Sequence, residues 1–366
     1  MSAIRQVVPL AQQWPGIDPF LFSVHHRDTY PAADGNTMRP DASLAGRNLG
    51  QDFSGRDGWS MYHGATIPGF PQHPHRGFET VTIALEGFID HSDSLGATAR
   101  FGDGDTQWLT AGSGLSHSEM FPLLDPDDPN PLELFQIWLN LAPEDKGADP
   151  HFDMFWAEDT PIVVRGEEGS RARFRVIAGD IDGVEAPTPP PRSWAARPDN
   201  HVAIWVVTLD PGASTELPAF DSSAVRTLYN YGGALTVDGR ELAYEAAVLE
   251  PEAVTVTAGT DGASFLILQG RPIGAPVVQQ GPFVANTREE IIDAIQDYRA
   301  GRFGAWPLDD DGPVLPHGEG RVARYPDGDV RRPAAQEQPQ GTPPPVPEGP
   351  ARCAKAPVTD VSVPGL

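Results

Sequence analysis

Along the first 72 residues apolar positions follow no sustained period, and turn residues recur at Gly35-Asn36, Gly46-Arg47-Asn48 and Gly55-Arg56-Asp57-Gly58. This stretch is expected to be irregular. From about residue 73 the pattern changes. Glu79-Thr80-Val81-Thr82-Ile83-Ala84-Leu85 places Val81, Ile83 and Leu85 on one side and small or polar residues on the other, the period of two of a half-buried strand. Glu86-Gly87 ends it, and Gly102-Asp103-Gly104-Asp105 marks a later turn. Residues 132–139 form another strand candidate, and Pro143-Glu144-Asp145-Lys146-Gly147 reads as a boundary loop. A second set of strands is expected at 174–178, 202–209, 234–237, 254–257 and 264–268, with Asp238-Gly239 as a hairpin turn. Short strands in both halves predict two all-β units of similar build.

One helix stands out. Thr287 and Glu290 have the spacing of a capping box, with Asn286 as an alternative cap. Ile291, Ile295 and Tyr298 recur at helical spacing, and Gly301 stands where a helix would stop. These signals predict a helix over about 288–300 with its Ile face on a β core. After Trp306 the period is lost, and Pro343-Pro344-Pro345-Val346-Pro347 fits neither ladder nor helix. Residues 306–366 are expected to form a Pro-rich tail, disordered or loosely docked, and passive rather than a docking motif.

Composition supports the strand reading. With 38 Gly and 39 Pro in 366 residues, a helical bundle is disfavoured. The formal net charge of −25 argues against direct nucleic-acid binding and against an anionic membrane surface. The single Cys353 excludes an intrachain disulfide and any thiolate-based metal site. No apolar run reaches the length of a signal peptide or a membrane span, so a soluble, cytoplasmic protein is expected.

Two segments carry candidate chemistry: Gln72-His73-Pro74-His75-Arg76-Gly77-Phe78-Glu79 and Gly112-Ser113-Gly114-Leu115-Ser116-His117-Ser118-Glu119. In extended chain, side chains two apart share a face, so His73 can converge with His75, and His117 with Glu119. Three neutral imidazoles and a carboxylate suit a mononuclear divalent metal. Fe(II) comes first, then Mn, Ni, Cu, Co or Zn, and the spacing does not choose among them. His25 and His26 are adjacent, so in a strand they point to opposite faces and are not expected to chelate. His201 stands alone in the second half.

The stretch His73–Gly87 resembles the signature of the pirin family, within the cupin superfamily. His91-Ser92-Asp93-Ser94-Leu95-Gly96, Gln107-Trp108-Leu109-Thr110-Ala111-Gly112 continuing to His117-Ser118-Glu119-Met120, and Gly281-Pro282-Phe283-Val284-Ala285-Asn286-Thr287 with Gly301-Arg302-Phe303-Gly304 resemble further motifs of that family. The similarity spans about residues 15–305. Two departures from cupins at large leave the pirin match intact: Thr110 stands where they often carry Pro, and His117 falls later than their usual spacing. The resemblance implies a bicupin, two β-barrels face to face, with residues 1–145 holding the metal, residues 146–305 metal-free and ending in the helix, and 306–366 as the tail. It implies His73, His75, His117 and Glu119 as ligands. Cupins at large take their glutamate from the first motif, here Glu79. Strand parity does not separate the two, so Glu79 is kept as a residue that orients a ligand histidine.

The implied activity is quercetin 2,3-dioxygenation, in which Glu119 takes a flavonol hydroxyl proton and O2 is the co-substrate. A flat aromatic would enter an apolar interior lined by Phe78, Ile83, Trp108 and Met120, although an ordinary core role serves each of these equally. The resemblance also implies a rival, a non-catalytic iron-dependent regulator whose redox state is read by protein partners. A third reading is a cupin acting on another substrate.

Overall fold

The structure, a computed structural model, describes residues 2–334. The first half forms β1 (Ile4–Pro9), β2 (Gln13–Pro15), β3 (Phe20–Tyr30), β4 (Gly69–His75), β5 (Phe78–Glu86), β6 (Phe88–Asp93), β7 (Thr98–Gly102), β8 (Thr106–Thr110), β9 (Leu115–Met120), β10 (Asn130–Asn140) and β11 (His151–Phe155). The second half forms β12 (Ile162–Arg165), β13 (Ala172–Ala178), the short pair β14 (Asp180–Ile181) and β15 (Val184–Glu185), β16 (Ala203–Leu209), β17 (Ser214–Leu217), β18 (Val225–Val237), β19 (Arg240–Leu242), β20 (Glu245–Leu249) and β21 (Val254–Gly270). After these come β22 (Val278–Gln280), β23 (Phe283–Ala285), α1 (Arg288–Arg299), β24 (Val322–Arg324) and β25 (Val330–Arg331).

The N-terminal barrel is closed by two six-stranded sheets, ordered β11-β8-β5-β10-β3-β2 and β25-β24-β7-β6-β9-β4. The C-terminal barrel is one nine-stranded sheet running β1-β20-β18-β21-β16-β13-β12, with β17 on β21 and β19 on β18. Irregular pairing at Asn230/Gly232 and Gly233/Leu235 bends β18 so that it serves both halves of this sheet. The Asp238-Gly239 turn forms as expected, both residues having positive φ (49° and 75°) between Val237 and its partner Arg240. The strands expected at 254–257 and 264–268 are one continuous strand, β21.

Residues 1–72 are less irregular than the pattern predicts. They contain β1, β2, β3 and the start of β4, and β1 pairs with β20 in the other barrel's sheet. The alternation of β3 was hidden because its buried positions include Ser23, His26 and Asp28. Asp28 has its partners inside: it accepts from the Ser60 amide at 3.0 Å and the Tyr62 hydroxyl at 2.6 Å. The half-buried strand expected at 79–85 is buried on both faces. Phe78, Thr80, Thr82 and Ala84 face the N-terminal barrel. Val81 and Ile83 instead join Trp108, Phe135, Ile137, Ile204, Val206, Tyr229 and Leu266 in a core shared between the barrels. Each such side chain contributes about 1.5–3 kcal/mol on burial, so the two barrels are held by a hydrophobic core of their own.

The helix runs from Arg288 to Arg299 with its capping box in place: the Glu290 amide donates to Thr287 Oγ1, and the Thr287 amide to Glu290 Oε2. It is tied to the N-terminal barrel, where Arg76 Nη1 donates to Asp297 Oδ2 at 2.7 Å and Ser94 Oγ to the Phe303 carbonyl at 2.6 Å. The expectation of a loose tail from 306 is corrected for its first part. Residues 306–334 lie on the N-terminal barrel, with β24 paired to β7. The fully buried Arg100 grips Asp90 and the carbonyl oxygens of Leu315, Pro316, His317 and Glu319. Residues 335–366, with the proline run and Cys353, lie outside the described residues.

Candidate metal centre

The neighbouring antiparallel strands β4 and β9 carry the two candidate ligand pairs. Their register places His73 opposite His117, with a shift between Phe70 and His73 that sets Phe70 opposite Glu119. Two glycines allow this close pairing. Gly69 has φ +130°, and a Cβ there would lie 2.5 Å from the Glu119 carbonyl oxygen. Gly114 has φ +124°, and a Cβ would lie 2.4 Å from the Phe303 ring.

The imidazoles of His73, His75 and His117 converge, with one ring nitrogen from each lying within 4.8 Å of the others. His73 Nδ1 is 2.8 Å from the Pro71 carbonyl oxygen, a contact that puts the proton on Nδ1 and leaves Nε2 as the free donor atom. Both ring nitrogens of His75 and of His117 are buried without a hydrogen-bond partner. Burial lowers the pKa of His73 to about 4 and holds those of His75 and His117 well below the ordinary value, so all three are neutral near pH 7. Three neutral imidazoles aimed at one point, two of them without any other partner, are the donor set a divalent metal requires.

Glu119 stands at the edge of this cluster. Its Oε2 is 3.8 Å from His117 Nε2 and accepts from Gln136 Nε2 at 2.6 Å; its Oε1 accepts from Thr82 Oγ1 at 3.2 Å. Burial raises its pKa, opposed by His91, Gln136 and Thr82. Glu79 is elsewhere. It accepts from the Thr110 hydroxyl at 2.7 Å and the Ser193 hydroxyl at 2.5 Å, on the face of β5 turned to the other barrel, so the expected role of orienting a ligand histidine is not what its contacts show.

The expected lining is also redistributed. Phe78 lies 5.1 Å from the His75 ring and stacks on Trp138 at 3.9 Å. Ile83 and Trp108 belong to the core between the barrels, and Met120 packs with Met38 and Ile67 on the outer side of β9. The aromatic wall beside the histidines is made instead by Trp138, 5.2 Å from His75, with the part-exposed Phe22 against it at 4.3 Å. Sequence reasoning missed Thr82, Gln136 and His91. Thr82 and Gln136 are polar positions in otherwise apolar strands, a signal that was there to use. His91 has its ring 5.4 Å from His117, and its Nε2 is 3.2 Å from Asp93 Oδ2. In the second barrel His201 is exposed near Asp221, and the interior is filled by apolar side chains. Among the described residues the three histidines are the one group of three or more candidate ligands that converges.

Two β-barrels packed face to face, one of which gathers three histidines on adjacent strands, define a bicupin with a single candidate metal centre. The family profile described as Pirin matches residues 4–139, and that described as the pirin C-terminal cupin domain matches residues 204–304. The chain is 37% identical over 241 residues to a Pseudomonas aeruginosa protein named "Putative quercetin 2,3-dioxygenase", covering 64% of this chain and 79% of the relative. It is 34% identical over 250 residues to human Pirin, covering 66% and 80%. The solved structure of quercetin 2,3-dioxygenase from Acinetobacter baumannii superposes with a TM-score of 0.65 at 25% identity, covering 83% of this chain and 99% of that one. The chain belongs to the pirin family. No helix among the described residues is long and apolar enough to cross a membrane.

Proposed function

We propose that this protein is a metal-dependent dioxygenase that opens the ring of flavonols such as quercetin with O2, using Fe(II) held by His73, His75 and His117 with Glu119 at hand. The observation that carries the reading is the triad of neutral imidazoles, His75 and His117 buried and His73 half-buried, beside a carboxylate and an aromatic wall. The names of the Pseudomonas and Acinetobacter proteins support it. A metal held there would supply Lewis acidity to a substrate hydroxyl and the redox chemistry O2 requires.

The residues divide the remaining work. The part-exposed Phe22, backed by Trp138 and Phe78, offers a stacking surface for a flat, oxygen-rich aromatic. Glu119, raised in pKa by burial, is a competent acceptor for the flavonol hydroxyl proton. Loss of that proton makes the ring electron-rich enough for attack by O2, and the balanced products are the ring-opened ester and carbon monoxide.

The test is direct. Protein loaded with Fe(II) and kept with quercetin under air should bleach the flavonol absorbance and release one carbon monoxide per flavonol. Absence of turnover with Fe, Mn, Ni, Cu and Co alike would sink the reading.

A further inference from the structure

Gln136 projects from β10 into the barrel interior and spends its amide on Glu119. Its Nε2 lies 2.6 Å from Glu119 Oε2, the same oxygen that is 3.8 Å from His117 Nε2. The other oxygen is taken by Thr82 from β5 at 3.2 Å. β5 and β10 are direct neighbours, with Thr82 opposite Gln136, so the two donors form a fixed cradle on the sheet facing the histidines. The ring nitrogens of His75 and His117 are left without partners, whereas both carboxylate oxygens have one. The donors that converge tightly are therefore three imidazoles, with the carboxylate tethered at their edge.

We propose that Gln136 is a positioning residue that competes with the metal for Glu119 Oε2, keeping the carboxylate a removable fourth ligand and so free to receive a substrate proton. The inference rests on the metal-site reading, and on the dioxygenase reading only for its consequence in turnover. A carboxylate oxygen can accept a hydrogen bond and coordinate together, so the competition is one of position: to close on the metal Glu119 must leave the place where Gln136 and Thr82 hold it, which weakens the fourth ligand. Removing the amide donor releases Oε2 to the metal. Binding then tightens while the proton acceptor is lost.

The test uses the full chain and Co(II), followed by calorimetry and by visible d–d absorption, so that it reads the site without turnover. Gln136→Met removes the donor at nearly constant side-chain length. It should bind Co(II) about tenfold more tightly than wild type, with weaker d–d bands as the coordination number rises. In a Glu119→Gln background the same change should have no effect on affinity. With quercetin, kcat should fall while KM changes little. Equal or weaker Co(II) binding by Gln136→Met, or an unchanged spectrum, overturns the proposal. If that variant does not fold, Thr82→Val removes the second tether of the same carboxylate and should move affinity and spectrum in the same direction. Should wild type bind Co(II) but never turn over quercetin, the dioxygenase reading fails while the competition between Gln136 and metal stands or falls on the Co(II) data alone.

Discussion

Glu79 and Glu119 are both buried acids in motifs that carry histidines, yet they lie on opposite sides of one sheet. Counting parity from His73 or His75 to Glu79 fails because parity holds only within a strand. β4 ends at His75, and the chain reverses through Gly77 (φ +85°) before β5 begins at Phe78. Glu79 thus points at the second barrel, where burial raises its pKa from 4.5 to about 7 against the hydrogen bonds from Ser193 and Thr110. A carboxyl raised on folding holds its proton between those values while the unfolded chain has lost it. Its stabilising contribution is therefore complete below pH 4.5 and lost as pH rises through about 7. The gap corresponds to about 3 kcal/mol at most. Glu79→Gln keeps a neutral side chain able to bond both hydroxyls. It should be more stable than wild type by about 1–3 kcal/mol at pH 8 and equal to it at pH 4.5, as measured by urea unfolding at the two pH values. Equal stabilities at pH 8 would show that Glu79 ionises there without cost.

At the level of elements, legibility followed the range of the interactions that make each one. The helix was readable because its signals are local: Thr287, Glu290 and Gly301 sit within its own turns. The Asp238-Gly239 turn was readable for the same reason, and the His73/His75 and His117/Glu119 pairs because each lies within a single strand. The segment 306–334 was not, since its order comes from partners far away in the sequence, in the N-terminal barrel. Arg100 donates to four of its carbonyls, and the Leu315 amide donates to Asp90 Oδ2 at 2.7 Å. The Gln72 amide, next to candidate ligand His73, donates to the Asp311 carbonyl at 2.7 Å, so the segment also braces the edge strand β4. Arg100→Met leaves Asp90 buried without its cation, a loss of about 3–5 kcal/mol for a broken buried pair. Limited proteolysis read by mass spectrometry should then show early cleavage within 306–334, before the barrels are cut. Cleavage there at the wild-type rate would mean that Arg100 does not fasten the segment.

For the whole molecule, the shared core and the crossing of β1 into the C-terminal sheet couple the two barrels, although only the first gathers metal donors. Metal held by the native state alone should therefore stabilise the molecule as a unit. At a free metal concentration of about 100 times Kd the gain is about 2.7 kcal/mol, worth roughly 3–5 °C in Tm for a chain of this size. The net charge of −25 complicates the measurement, because 51 carboxylates attract divalent cations wherever they cluster. The double variant His73→Ala, His117→Ala resolves this, since it keeps every carboxylate and removes two of the three converging imidazoles. Calorimetry should show one transition raised by Fe(II) or Ni(II) in wild type and left in place in the variant, with metal content falling from about one per chain to near zero. An equal shift in both proteins would assign the effect to the acidic surface. Two wild-type transitions, only one of them metal-sensitive, would show that the barrels unfold separately despite their common core.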